Sequence, residues 1–159
     1  MKVGVAGQGA FGVKHLEAMQ NLPGIEVITL AGGSPASTEE VAKKFKIPHW
    51  TSDLAESLKQ PGLEAMILAS PTQVHAAQGV ASMRAGKHVH IEIPIADSLA
   101  DSEMLVKVAK ETGVVCMGGH TRRFNPSHQF VHKRIKAGEL KVQQDLRLSI
   151  ANPETISRM

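Results

Sequence analysis

Short apolar runs alternate with amphipathic segments along most of this 159-residue chain. A short apolar run bounded by turn residues indicates a buried strand, and apolar positions three and four residues apart indicate a helix. This pattern predicts strands over residues 2–6, 26–31, 49–51, 64–69, 88–91, 114–117 and 142–150. It predicts helices over residues 11–22, 37–45, 53–59, 74–85, 98–112 and 127–137.

Polar and glycine residues predict where several of these helices begin and end. The hydroxyls of Ser37 and Thr38 are expected to begin the second helix. Asp53 and Glu56 form a capping pair at the start of the third helix. A glycine suited to a left-handed cap follows three later helices: Gly86, Gly113 and Gly138.

Regular alternation of strands and helices predicts an α/β fold in which a parallel sheet carries helices on both faces. Right-handed crossovers then give the doubly wound, Rossmann-type arrangement. We expect one such domain over residues 1–144, followed at 145–159 by a tail or by the start of a further domain.

Composition narrows the classes of function. Aromatic residues make up 3% of the chain, so the core must consist of Val, Ile, Leu, Ala and Met. The net charge of +3 is too small to indicate nucleic-acid binding but suits a small anionic ligand. Cys116 has no second cysteine to pair with, which predicts a reducing, cytoplasmic location. No apolar stretch approaches the ~20 residues of a membrane span, and no secretory leader pattern is present.

The strongest local motif is Gly7-Gln8-Gly9-Ala10-Phe11-Gly12, placed between the first strand and the first helix. In that position a G-x-G-x-x-G sequence is typical of dinucleotide binding. Gly7 allows the tight turn, Gly9 admits the pyrophosphate, and Gly12 lets the helix pack closely. Amides at the helix start, at Ala10 and Phe11, then face the phosphates. The alternative is a turn with no ligand.

The end of the second strand bears on the choice between NAD and NADP. NAD sites usually carry an acid there, which binds the ribose 2′-hydroxyl. This chain has Gly32-Gly33-Ser34 instead, with no acid and no nearby arginine. Backbone N–H groups at Gly33 and the Ser34 hydroxyl suit a 2′-phosphate, so we predict that NADP is favoured over NAD. If the glycines only form the turn, the two cofactors should bind comparably.

Two further motifs carry a family resemblance. Ser70-Pro71-Thr72-Gln73-Val74-His75 and the run from Ala85 to Pro94, A-G-K-H-V-H-I-E-I-P, resemble sequences of the Gfo/Idh/MocA oxidoreductases. That family implies a Rossmann domain followed by a second, sheet-rich domain that completes the substrate pocket. It also implies cofactor contacts at Ser70, Pro71 and Thr72 on the adenosine side, and at Glu92 and Pro94 near the nicotinamide ribose. His75 is either a cofactor neighbour or a residue that satisfies local backbone.

One departure from the family affects catalysis. The family's central lysine, the acid/base partner of the substrate hydroxyl, is Ile93 here, and isoleucine cannot transfer a proton. Ile93 is therefore expected beside the substrate, and the proton acceptor is not identified. Without the second domain we expect little or no turnover from these residues alone.

Two stretches, from Glu92 to Ser98 and from Gly119 to His128, together resemble a branch of the family that acts in aromatic-compound catabolism. Members of that branch oxidise the cyclic hemiacetal of a carboxylated muconate semialdehyde to a pyrone dicarboxylate. Arg122 and Arg123 suit a dicarboxylate, because guanidinium groups bind carboxylates in bidentate fashion. The alternative is a surface cluster with Lys133, Arg134 and Lys136.

Three further possibilities concern a role without catalysis, oligomer formation and metal binding. A nucleotide-binding sensor or interaction module without catalysis would also keep the glycine loop and lose the lysine. An exposed apolar patch would allow a homo-oligomer. His88 and His90 have metal-like spacing, but no third ligand accompanies them in the sequence pattern, so no metal site is predicted.

Overall fold

The computed structural model describes residues 1–140. The predicted strand at 142–150 and the predicted domain boundary at 144 lie outside the described residues. The chain divides into two compact units, one over Met1–Gly119 and a second that begins at His120. None of the described helices is long and apolar enough to cross a membrane.

The first unit is built on a sheet of six strands, and all of its strand pairs are parallel. The strands are β1 (Lys2–Ala6), β2 (Glu26–Ala31), β3 (His49–Thr51), β4 (Ala65–Leu68), β5 (His88–Ile91) and β6 (Cys116–Gly118). Their spatial order is β3-β2-β1-β4-β5-β6. This order confirms the doubly wound fold, and the order reverses between β1 and β4.

The helices of this unit are α1 (Ala10–Met19), α2 (Pro35–Phe45), α3 (Leu54–Ser57), α4 (Thr72–Arg84) and α5 (Leu99–Thr112). Two apolar clusters form the core, because successive strand residues point to opposite faces of the sheet. Val3 and Val5 join Leu16 of α1 in one cluster. Met66 and Leu68 join Leu105 of α5 in the other.

Several predicted helix ends were wrong by a few residues. Helix α2 begins at Pro35, not at Ser37, because proline suits the first helical position and Ser34 serves as the cap. The hydroxyls of Ser37 and Thr38 donate to the Ser34 carbonyl instead. Helix α1 ends at Met19, before the predicted residue 22.

The predicted capping pair of the third helix is half confirmed. The Asp53 side chain accepts a hydrogen bond from the Ala55 amide at 2.8 Å. Glu56 does not return to the Asp53 amide; its carboxylate accepts from the Thr51 hydroxyl, and that hydroxyl accepts from the Asp53 amide. The glycines expected after the later helices do adopt positive φ, at Gly86, Gly113 and Gly138.

The described part of the second unit contains a 3₁₀ turn over Thr121–Phe124 and helix α6 over Pro126–Lys136. Asn125 joins the two, and its side-chain oxygen accepts from the Ser127 amide at 2.9 Å. Pro126 occupies the first helical turn, where its missing N–H leaves no bond unmade. The turn was not predicted from the sequence.

Candidate functional site at the carboxyl edge of the sheet

The glycine loop leaves β1 in a backbone conformation that requires glycine. Gly7 has φ of +114°, and a Cβ there would lie 2.5 Å from the Ala69 carbonyl oxygen. A Cβ on Gly12 would lie 1.8 Å from the Gly7 carbonyl oxygen. Gly7 therefore makes the turn and Gly12 lets α1 pack closely, in agreement with the roles predicted for them. Gly7 also lets the loop approach the end of β4, a contact that the sequence did not predict.

Gly9 is different, because it faces open space. It is the N-cap of α1, and no atom lies within 4 Å of a Cβ built on it. No side chain caps the first turn of α1, and Ala10 and Phe11 are exposed. A group that approaches this loop thus meets bare backbone and the positive end of a helix dipole, which fits the pyrophosphate of a dinucleotide.

The end of β2 lies beside the glycine loop and is joined to it by Gln8. The Gln8 side chain accepts a hydrogen bond from the Gly33 amide at 3.2 Å and donates to the Ser37 hydroxyl at 3.1 Å. Gly33 is exposed with open space around it, but its amide, which the sequence analysis assigned to a 2′-phosphate, is bonded to Gln8 instead. Ser34 is also exposed, and its hydroxyl makes no capping hydrogen bond to α2. The Ser34 hydroxyl is therefore accessible to a ligand.

The loops that follow β4 and β5 are joined by His75. Its ring is 2% exposed, with Nδ1 2.8 Å from the Pro94 carbonyl oxygen and Nε2 2.7 Å from that of Ser70. A neutral imidazole carries one N–H, so it donates to one of these two carbonyl oxygens, according to the tautomer. Both ring nitrogens nevertheless face backbone oxygens at hydrogen-bond distance. This geometry supports the second of the two interpretations, in which His75 holds the two loops that carry the predicted contacts.

The predicted contacts Ser70, Pro71 and Thr72 lie where α4 begins. Thr72 is the first helical residue and Pro71 its cap. The Ser70 hydroxyl donates to the Gln78 side chain at 2.5 Å, which fixes its direction. Pro94 is exposed, and the peptide bond that precedes it is cis.

Glu92 follows β5 and contacts a residue that the sequence did not single out. Its Oε1 lies 2.7 Å from Nε2 of His15, on α1. An ionised carboxylate only accepts hydrogen bonds, so the shared proton belongs to the His15 ring. The exposed fraction of the side chain is 21% for His15 and 12% for Glu92. No local pattern could reveal this pair, because 77 residues separate its members.

His90 packs against the same pair. Its ring meets that of His15 edge to face, with centroids 5.3 Å apart. Burial first, and then the neighbouring His15, lower the pKa of His90 below its usual 6.5, although Glu92 acts in the opposite sense. The Nδ1 atom of His90 is buried and has no hydrogen-bond partner among the described residues.

His15, His90 and Glu92 also place three potential metal-ligand atoms within 4.8 Å of one another. His15 and Glu92 pair directly, however, which explains their proximity without a metal ion. His88 is not part of this group; its Nδ1 accepts from the Val115 amide at 3.0 Å.

Ile93 follows Glu92 directly and is 43% exposed. It stands at the carboxyl end of β5, on the same edge as the glycine loop, Ser34 and Ser70. Ligands of doubly wound sheets bind outside this edge, at the point where the strand order reverses. The structure thus brings the predicted cofactor residues together and places Ile93 with them.

The second unit carries a cationic hollow of about 610 Å³, which holds Arg122 and Arg123. Four residues of α6 complete its lining: His128, Gln129, His132 and Lys133. Among the lining residues none is acidic, and Gln129 donates to the Arg123 carbonyl at 3.2 Å. The sequence analysis singled out only Lys133 among these four, as part of the alternative surface cluster. Their spacing of four residues, which puts them on one side of the helix, was the signal available.

Known proteins resemble this chain over most of its length. A model of the Gfo/Idh/MocA oxidoreductase family, described as an NAD-binding Rossmann fold, matches residues 1–120. The 4-carboxy-2-hydroxymuconate-6-semialdehyde dehydrogenase of Sphingobium sp. (strain NBRC 103272 / SYK-6) is 51% identical over 144 residues. That match covers 91% of this chain and 46% of the relative. The chain thus spans less than half the length of this relative.

Solved structures also share the fold, as two examples illustrate. Scyllo-inositol dehydrogenase from Lactobacillus casei, with bound NAD(H) and scyllo-inositol, matches with a TM-score of 0.82 at 22% identity. Biliverdin reductase from Synechocystis sp. PCC 6803, in complex with biliverdin and NADP⁺, matches with a TM-score of 0.78 at 24% identity. The matches cover 87% and 85% of this chain, and 42% of each solved chain. At these identities the likeness establishes the fold.

Proposed function

The chain belongs to the Gfo/Idh/MocA oxidoreductase family, and we propose that it is the dinucleotide-binding part of an NAD(P)-dependent dehydrogenase. The observation that carries this proposal is the contrast within the glycine loop. At Gly7 and Gly12 neighbouring backbone atoms leave no room for a side chain. At Gly9, at the start of α1, a Cβ would meet no atom within 4 Å. A loop that only turned the chain would have no need for bare backbone at Gly9.

Different residues at the carboxyl edge of the sheet would contact different parts of the cofactor. The amides of Ala10, Phe11 and Gly12 would hold the pyrophosphate, as helix starts hold anions elsewhere. Ser70, Pro71 and Thr72 would contact the adenosine side, and Glu92 and Pro94 the nicotinamide ribose. The bound nicotinamide supplies the chemistry, which is hydride acceptance from the substrate carbon.

We further propose that NADP is preferred over NAD. The described end of β2 carries no carboxylate that would bind a ribose 2′-hydroxyl and repel a 2′-phosphate. The Gly33 amide already donates to Gln8, so the exposed Ser34 hydroxyl is the group that would bind a 2′-phosphate there. Pro35 begins an eleven-residue helix whose first turn holds no acid. The positive end of the α2 dipole and the free Ser34 hydroxyl both favour NADP, the more negative of the two cofactors.

The substrate that we propose is a small dicarboxylate, namely the cyclic hemiacetal of 4-carboxy-2-hydroxymuconate semialdehyde. Its oxidation yields a pyrone dicarboxylate in aromatic-compound catabolism. The name of the Sphingobium relative supports this choice. The cationic hollow supports it chemically, because two guanidinium groups and Lys133 suit a ligand with two carboxylates. Ile93 would then contact the substrate without exchanging a proton with it.

A nucleotide-binding sensor is the second candidate, and Ile93 is the observation that favours it. A module without catalysis has no use for the family's lysine at that position. The cationic hollow favours the dehydrogenase instead, because a dinucleotide sensor would not need a second anion site.

Calorimetric titration of the 159-residue chain with NADP⁺ and, separately, with NAD⁺ tests the proposal. We expect micromolar binding of NADP⁺ and weaker binding of NAD⁺. Comparable affinities would reject the NADP preference but keep the cofactor role. A folded chain that binds neither dinucleotide would reject the cofactor role.

A further inference from the structure

The contact between His15 and Glu92 joins the two ends of the proposed cofactor site. His15 lies on α1, whose first turn follows the glycine loop, and Glu92 follows β5. Nε2 of His15 approaches Oε1 of Glu92 to 2.7 Å. The Glu92 backbone is fixed independently, because its amide donates to the Leu68 carbonyl at 2.9 Å. The backbone position of Glu92 is thus set, and only the orientation of its carboxylate depends on a contact with another side chain.

Nothing else in the described part of the chain donates to that carboxylate. Gly119 passes close by, and a Cβ there would lie 3.1 Å from Oε1, so the glycine leaves room for the carboxylate but gives it no hydrogen bond. His90 contacts the His15 ring from β5 and resists protonation because it is buried. The ring of His15 is therefore fixed by His90 on one side and by Glu92 on the other.

We propose that His15 is a positioning residue for cofactor binding. It holds one oxygen of the Glu92 carboxylate, so that the second oxygen is directed to accept a hydrogen bond from a hydroxyl of the nicotinamide ribose. This inference rests on the proposed role of Glu92. A pair held by a charge-assisted hydrogen bond in a partly buried setting is more rigid than a solvated carboxylate.

Titration with two ligands of different length distinguishes a role of His15 in positioning Glu92 from a general effect of the substitution on folding. NADPH carries the nicotinamide ribose, whereas adenosine 2′,5′-bisphosphate lacks it and reaches only the adenosine end. Glutamine can place an amide N–H where Nε2 of His15 lies, and leucine cannot. The variants are therefore His15→Leu and His15→Gln, each titrated with both ligands in the 159-residue chain and each melted to record its Tm.

We expect His15→Leu to weaken NADPH binding about tenfold, the effect of losing one hydrogen bond to a charged group. Its affinity for adenosine 2′,5′-bisphosphate should match that of the wild type, and His15→Gln should restore most of the NADPH affinity. Equal weakening of both ligands, or no weakening of NADPH, would overturn the positioning role alone. A wild-type chain that binds neither ligand would overturn the proposed function and this inference with it.

Discussion

The carbonyl oxygen of Gly7 lies where a side chain on Gly12 would have to begin, 1.8 Å from the Cβ position. The neighbour is backbone, so it cannot rotate away as a flexible side chain would. Gly12→Ala should therefore lower the free energy of unfolding by about 3 kcal/mol, at the upper end of overpacking costs. Urea denaturation measures this change. A loss below about 1 kcal/mol would mean that the loop can move aside.

Gly9→Ala provides the matched comparison within the same loop. The Cβ meets nothing within 4 Å, so the variant should fold and lose less than about 1 kcal/mol as a poorer helix cap. Dinucleotide binding should weaken at least about tenfold, because the methyl group takes the space for the pyrophosphate. Calorimetry of the folded variant checks this. Unchanged affinity would show that the open space at Gly9 is not the phosphate site.

The Ser34 hydroxyl offers a direct test of cofactor preference. Ser34→Asp places a carboxylate at the end of β2, where it should repel a 2′-phosphate and accept from a 2′-hydroxyl. The Kd for NADP⁺ is expected to rise about tenfold while that for NAD⁺ falls or stays unchanged. Ser34→Asn, which has the same shape without the charge, is the control. If both variants behave alike, charge at this position does not select the cofactor.

Stability should depend on pH through His90. Its pKa is lowered in the folded state, so below the usual value of 6.5 the unfolded chain takes up a proton that the folded chain resists. The free energy of unfolding should therefore fall as the pH drops through about 6.5. His90→Phe keeps an aromatic ring beside His15 and removes the titration.

Melting at about pH 7.5 and about pH 5.5 measures the effect, as the difference between the two Tm values. His90→Phe should show a smaller difference than the wild-type chain. His120→Phe, at an exposed histidine, should leave the difference unchanged. An equal drop in the wild type and in His90→Phe would assign the acid sensitivity to other groups.

Local patterns were enough to predict the sheet, because its strands are short apolar runs with glycine or polar residues at both ends. Strands β1, β2, β3 and β5 begin and end where the sequence predicted. Strand β6 is shifted to Cys116–Gly118 from the predicted 114–117. There the apolar pattern continues before the strand, and pairing with β5 decides the register.

The residues of the candidate site were predictable only where they lie close together in one stretch of the sequence. The glycine loop is such a stretch, since Gly7, Gly9 and Gly12 lie within one turn and one helix start. The pairing of His15 with Glu92 depends on how the fold places α1 relative to the end of β5, which no spacing in the sequence encodes. The same holds for His75, whose two backbone partners come from different loops.

The cationic hollow leads to the last prediction, which concerns substrate binding. In a full-length homologue, replacing the arginine that corresponds to Arg122 or Arg123 with glutamine should raise the substrate KM about tenfold with little change in kcat. A bidentate contact to a carboxylate is made with substrate and transition state alike, so its loss falls on KM. Lysine at either position should give an intermediate KM, because it keeps the charge and loses the planar fork.

Arg134 is the matched control for this experiment. It pairs with Glu139 at 2.8 Å and stacks on Phe130, and it is not among the residues that line the hollow. Arg134→Gln removes the same positive charge from α6, so it should reproduce any general effect of net charge and leave the KM near its wild-type value. If the KM rises equally for Arg122→Gln and Arg134→Gln, the arginine pair attracts the substrate only through overall positive charge and does not bind its carboxylates directly. An unchanged KM for both Arg122→Gln and Arg123→Gln would remove the hollow from the substrate site.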